Sequence, residues 1–296
     1  MSLAEGPPDL PYPKLPFWDA VSLSYSTYFN HFIDAWRASW LWLIVVAAFT
    51  GFASWQQWSW LAAAMANLKP GLPAMPKSSE ISLLMSLDNI LLLFAGVSIA
   101  VAWHRRIILN EQPGFSGGNI ATKNLWRYVV AAIGLFLIMF LPVIAIMVPT
   151  FHFIVTTSAG RTSLPSAFLP LILTIFVAYT VGIAVAFRLT LLLPAQAIGN
   201  TGLTIKQVWT RTRGNIWRLF WGIVVTTIPP LLIAQFVFLL VMPLPQPGMI
   251  ADGLVVRMTA FTTVFTTYYL LVVPIGIGFL SHAYRHFFQA PLELAE

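Results

Sequence analysis

Asp88, in the run ISLLMSLDNILLLF, is the one carboxylate that stands well inside an apolar stretch of this chain. An ionisable side chain in hydrocarbon costs roughly 2.5–3.5 kcal/mol on insertion scales, so it defaults to a functional reading: a proton or cation site, with Asn89 beside it. The competing reading is a helix-interface residue, hydrogen-bonded or protonated, and the lack of a second mid-segment ionisable group favours it. Arg188 is the natural partner to weigh. Asp88 lies about 15 residues, roughly 22 Å of helix, from the segment end that shares a side with Arg188, too far for a direct salt bridge. Arg188 is expected to reach lipid headgroups or the end of a neighbouring segment.

His282 and His286 are four residues apart and share a helix face, so they offer two metal ligands. No acid or cysteine completes the set nearby, and a stable site needs three or four ligands. His104 reads as part of a basic segment border. HExxH and P-loop patterns are missing, as are paired intramembrane carboxylates. The expectation is a protein with no catalytic residues, no metal and no cofactor.

The remaining charged candidates are cations at segment ends: Arg37, Arg105, Arg106, Arg127, Arg188, Lys206, Arg211, Arg213, Arg218 and Arg285. Each basic residue near an anionic membrane surface contributes about 1 kcal/mol of attraction. These side chains suit phospholipid headgroups and also set topology. Both roles fit the same charges. The net charge of +6 therefore points to membrane lipids and not to nucleic acid.

Such residues need elements to hold them. The chain has 296 residues, 58% hydrophobic and only 9% charged, with mean hydropathy +0.79. A soluble domain carries about 25% charged residues, so this composition cannot cover a water-soluble globule. Its apolar residues fall in blocks long enough to cross a hydrocarbon core as helix, not as the short alternating strands of a barrel. The fold class is all-α: a polytopic transmembrane bundle of six helices. Six spans are placed at about 38–64 (with a possible bend near Gln56 and Gln57), 81–103, 128–149, 168–193, 218–242 and 262–282.

Lys and Arg distribute unevenly about these spans. Lys14, Arg37, Arg105, Arg106, Lys123, Arg127, Lys206, Arg211, Arg213, Arg218 and Arg285 fall on one side, and Lys69, Lys77, Arg161 and Arg257 on the other. Basic loops stay in the cytoplasm, so both termini are expected there. Residues 1–16 read as a disordered, proline-stiffened lead-in and not a signal peptide. Residues 17–291 form a single transmembrane domain and 292–296 a tail. With no cysteine, disulfide and thiolate chemistry are excluded.

The chain also repeats itself. DAWR (34–37), NLWR (124–127) and NIWR (215–218) open the odd spans, with Trp36, Trp126 and Trp217 near-equally spaced. AWHR (102–105), AFR (186–188) and AYR (283–285) close the even ones, each followed by a short apolar stretch and a proline. Interfacial anchors alone explain Trp and Arg but not the period. The reading is three parallel hairpin repeats, about 17–113, 114–200 and 201–291, arranged as a six-helix ring or bundle. Short interfacial helices precede two of them, at 17–33 and 203–213. The middle repeat has PGFSGG in that place.

The segment 185–223, VAFRLTLLLPAQAIGNTGLTIKQVWTRTRGNIWRLFWGI, resembles the signature of a broad bacterial group of six-helix membrane proteins. That group includes the membrane domain fused to some glycerophosphodiester phosphodiesterases and the YciC-type and DUF975-type proteins. Arg188, Pro194, Thr212, Arg213, Gly214 and Asn215 occupy the pattern's positions. The resemblance implies a bacterial inner-membrane protein, not a phosphodiesterase, since no soluble catalytic barrel fits in the chain. The expected function is non-catalytic: contact with membrane lipids, or an accessory or scaffold role as a homo-oligomer or within a larger membrane complex. The alternative is a transporter or channel for an ion, lipid or small solute, with Asp88 lining the path.

Overall fold

The computed structural model describes residues 14–66, 78–114, 123–158, 165–241 and 251–289, and among these there is helix and no strand. The elements are α1 (Phe17–Asn30), α2 (Phe32–Ala66), α3 (Ser78–Leu109), α4 (Lys123–Ser158), α5 (Pro165–Leu189), α6 (Leu192–Ala197), α7 (Ile205–Arg211), α8 (Ile216–Val241) and α9 (Ala251–Tyr284). A widened π-helical turn, Arg285–Gln289, follows α9.

Long helices that are apolar on nearly every face cannot bury themselves in water, and in lipid they satisfy their backbone groups internally. Among the described residues, five stretches are long and apolar enough to cross a membrane: Phe32–Ala64, Ser79–Leu109, Lys123–Pro149, Ile216–Leu240 and Gly253–Gln289. The shortest has 25 residues, about 37 Å of helix against a hydrocarbon core of about 30 Å. Their outer surfaces carry Ile44, Phe136, Leu141, Leu232 and Phe236, all exposed. This is a multi-pass α-helical membrane protein.

Neighbouring helices close a circuit. α2 packs on α3, α3 on α4, α4 on α5, α5 on α8, α8 on α9, and α9 back on α2. α9 also touches α3, so α2, α3 and α9 pack against one another as a three-helix group. The packed face of α9 includes Leu270, Ile275, Phe279 and Ala283. Phe279 lies flat where a Cβ on Gly222 would stand, so glycine at 222 is what lets α8 and α9 approach.

Two expectations change in detail. The helix expected to run to 193 ends at Leu189 instead. Pro194 has no N–H for the Thr190 carbonyl and its ring clashes with it, so the chain turns at Thr190–Leu191 and restarts as α6. The bend near Gln56 and Gln57 does not break α2, which is continuous from Phe32 to Ala66. Both short helices exist, as α1 and α7. Residues 115–118, most of the PGFSGG segment, lie outside the described residues.

Candidate functional site at the arginine-rich end

The three similar tetrapeptides stand at one end of the bundle, each opening a long helix: α2, α4 and α8. In each, the tryptophan is exposed (Trp36, Trp126, Trp217) while the residue two places on is buried (Ala38, Tyr128, Leu219). The first residue of each reaches another segment. Asp34 takes the Arg106 guanidinium at 2.7 Å, Asn124 lies against Gly199, and Asn215 Oδ1 accepts from the Leu15 amide at 2.9 Å. The ends of α3, α5 and α9 meet the same region through Arg106, Arg188 and Tyr284, the last accepting from Asn200 Nδ2 at 3.0 Å.

Four of the expected headgroup arginines are spent on main-chain carbonyls. Arg105 Nη1 donates to Ala197 O at the end of α6 (3.2 Å). Arg188 Nη2 donates to Trp209 O in α7 (2.8 Å), Arg211 Nη1 to Phe287 O (2.9 Å), and Arg218 Nη1 to Leu15 O. A helix end leaves its last carbonyls without intrahelical donors, and a guanidinium with five fixed donors fills several at once. Arg105 also makes a bidentate pair with Glu111, and Arg106 and Arg37 share Asp34. Arg127 is half-buried at the start of α4. Lys206, Arg213 and Arg285 point out and are exposed.

The signature segment folds into a single knot. Arg188 at the end of α5 stacks on Trp209, 3.8 Å from the ring centroid, and donates Nε to Thr212 Oγ1 at 3.3 Å. Thr204 and Gln207 form a reciprocal capping box that starts α7. The chain leaves α7 through Gly214 at φ +77, a left-handed conformation glycine adopts without strain. Asn215 then opens α8 and fastens the segment before α1. Arg188, Thr212 and Asn215 thus tie α5, α7, α8 and the segment before α1 together.

α1 reaches further inward than an interfacial helix lying flat. Tyr25 Oη donates to Val225 O at 2.8 Å and Tyr28 Oη to Leu271 O at 3.0 Å. Ser24 Oγ donates to Ile275 O. Pro229 deprives Val225 O of its helical donor, and Pro274 does the same to Leu270 O, one residue from the acceptor of Tyr28. Tyr25 thus supplies the donor that Pro229 removes from α8, while Tyr28 and Ser24 fasten α1 to carbonyls beside Pro274 in α9. Pro229 was the available signal for Tyr25, since an interior proline announces a carbonyl without its helical donor four residues earlier.

Asp88 Oδ1 accepts from the Thr50 hydroxyl at 2.7 Å, within the α2–α3 hairpin. Arg188 is engaged elsewhere. His104 is no border residue: it is fully buried between α3, α4 and α9. Ser281 Oγ gives its proton to Ile277 O (3.0 Å), so the 2.8 Å contact with His104 is a bond donated by Nδ1. Nε2 is then the acceptor facing the Tyr128 hydroxyl at 3.5 Å. His282 Nε2 lies 3.2 Å from Thr27 Oγ1, on α1.

These features define the class as a helical, multi-pass membrane protein whose clustered polar side chains fasten helices to one another. Comparison of the chain with protein-family models, with curated proteins and with solved structures returned no match.

Proposed function

We propose that this chain is a non-catalytic protein of the bacterial inner membrane that acts through contact with lipid or through assembly with copies of itself. In this reading α5 also crosses the membrane, as the fourth of six spans, the hairpins α2–α3, α4–α5 and α8–α9 are repeats, and both termini face the cytoplasm. The observation that carries it is the division of labour at the arginine-rich end. Buried polar groups there are consumed by structural bonds, while Trp36, Trp126, Trp209 and Trp217 stand exposed beside the exposed Lys206, Arg213 and Arg285. Aromatic and cationic side chains in one belt are what a headgroup layer selects. The matching burial of the three entry tetrapeptides supports the repeat, and the engagement of Asp88 by Thr50 favours an accessory protein over a transporter.

Lipid analysis and native mass spectrometry of the purified protein test this reading. Retained phospholipid, or a defined oligomer, is expected. A strictly monomeric protein that carries no lipid overturns it. Cysteine labelling at positions 126 and 217 from one side of the membrane tests the topology, and labelling from opposite sides overturns the hairpin repeat.

A further inference from the structure

The sequence between Glu111 and Asp252 contains no acidic residue. Within that interval the fold gathers Arg188, Lys206, Arg211, Arg213 and Arg218 around α7 and the start of α8. Arg211 and Arg218 face main-chain carbonyls, which ease hydrogen bonding but neutralise no charge. Asp34 and Glu111 instead pair with Arg37, Arg105 and Arg106.

Arg213 follows Thr212, whose hydroxyl accepts from Arg188 Nε at 3.3 Å, so the two guanidiniums stand on one short stretch of chain and repel one another. Arg188 is held rigidly: its plane rests on Trp209, and Nε and Nη2 are occupied by Thr212 Oγ1 and Trp209 O. Nη1 has no hydrogen-bond acceptor among the described residues. Arg213 is exposed one residue beyond Thr212, and Lys206 is exposed near the start of α7. A held guanidinium with an exposed one beside it, and no carboxylate between them, suit the oxygens of one phosphate.

The apolar surface begins at the same place. Trp217 and Trp221 are exposed on the first turns of α8, and Ile228 and Leu232 continue that stripe along the helix. α5 meets α8 near its end, where Phe187 packs edge-on to Phe220 at 5.3 Å. Between 173 and 181 the half-buried positions of α5 are Ile175 and Ala178, which share a face with Gly182 against Met139 of α4. The stripe on α8 is therefore left to lipid.

We infer that Arg213 and Arg188 form a binding site for the phosphate of an anionic phospholipid whose acyl chain lies along Trp217, Trp221 and Ile228. The inference rests on the lipid-contact reading above and narrows it to one place and one class of lipid. The charge demands an anion, the stripe demands a chain, and a phospholipid supplies both in the order in which they occur.

The experiment is native mass spectrometry of the delipidated full chain in non-ionic detergent, titrated with phosphatidylglycerol, phosphatidylcholine or soluble glycerol phosphate. Arg213→Gln is the main variant, because Arg213 is exposed and its side chain fastens no element; unchanged melting checks its fold. Arg285→Gln removes an exposed charge elsewhere and is the control. Preference for phosphatidylglycerol over phosphatidylcholine is expected, falling about fivefold in Arg213→Gln and less than about twofold in Arg285→Gln, the scale of one cation at an anionic surface. Equal binding of the two lipids overturns the site while leaving lipid contact intact, as does an Arg285→Gln effect equal to that of Arg213→Gln. Saturation by glycerol phosphate alone replaces the phospholipid with a soluble anion and also overturns it. Failure of every lipid to bind removes the lipid-contact reading together with the site.

Discussion

The Tyr25 hydroxyl lies 2.8 Å from the carbonyl oxygen of Val225, an acceptor that Pro229 has stripped of its helical donor. A side chain from α1, 200 residues away in sequence, thus replaces a missing main-chain bond inside α8. Burying that carbonyl unpaired costs more than a typical hydrogen bond returns, so the tyrosine and the proline form one unit. Tyr25→Phe is expected to lower stability by about 1–2 kcal/mol. In a Pro229→Ala background, where residue 229 regains its N–H, the same change should cost clearly less, a coupling of about 0.5 kcal/mol or more. Thermal melting of the four proteins in detergent measures it, and strict additivity refutes the pairing.

The same helix predicts an alkaline transition. Burial, aided by the nearby Tyr268, pushes the Tyr28 hydroxyl from 10.0 up to about 12, and Tyr25 is raised in the same way. A folded-state value above the unfolded one favours the neutral phenol. That stability is complete below pH 10 and is lost as pH rises through the interval to about 12. Melting temperature followed from pH 8 upward should decline from about pH 10, and Tyr28→Phe should flatten the decline.

Arg188 offers a test of the knot. Arg188→Lys keeps the charge but loses the planar stack on Trp209 and the fork that spans Trp209 O and Thr212 Oγ1. A loss of about 1–3 kcal/mol is expected, combining the stacking contact with charged hydrogen bonds. Quenching of tryptophan emission should change with it. A lysine variant as stable as the parent would reduce Arg188 to a point charge.

Asp88 separates a structural acid from a working one. Thr50 donates to it, so the bond needs an acceptor at Asp88 and not a negative charge. Asp88→Asn retains the carbonyl oxygen and should shift stability by less than about 0.5 kcal/mol, whereas Thr50→Val should cost about 1 kcal/mol. Melting of both variants decides between them. Solute flux in proteoliposomes that disappears specifically in Asp88→Asn would restore the transport reading.

What the sequence determined by itself is what depends on composition and local period. Blocks of apolar residues longer than a bilayer is thick admit only helix, because backbone groups in lipid must be paired within their own segment. The tryptophan–arginine borders, the two short helices at 17–30 and 205–211, and the turn at Gly214 follow from the same local rules. What only the tertiary structure decided is which polar groups meet across the chain. Nothing in the order of residues says that Tyr25 faces Val225, or that His104 sits between Ser281 and Tyr128 and not at the border. Nor does it say that arginines suited to headgroups turn inward to Ala197, Trp209, Phe287 and Leu15. Helix ends and interior prolines leave carbonyls without donors, and a packed helix bundle fills them from whichever side chain its neighbours bring near. That choice is made by packing, long-range in sequence, and only afterwards do residues such as Lys206, Arg213 and Arg285 stand out as the cations left exposed.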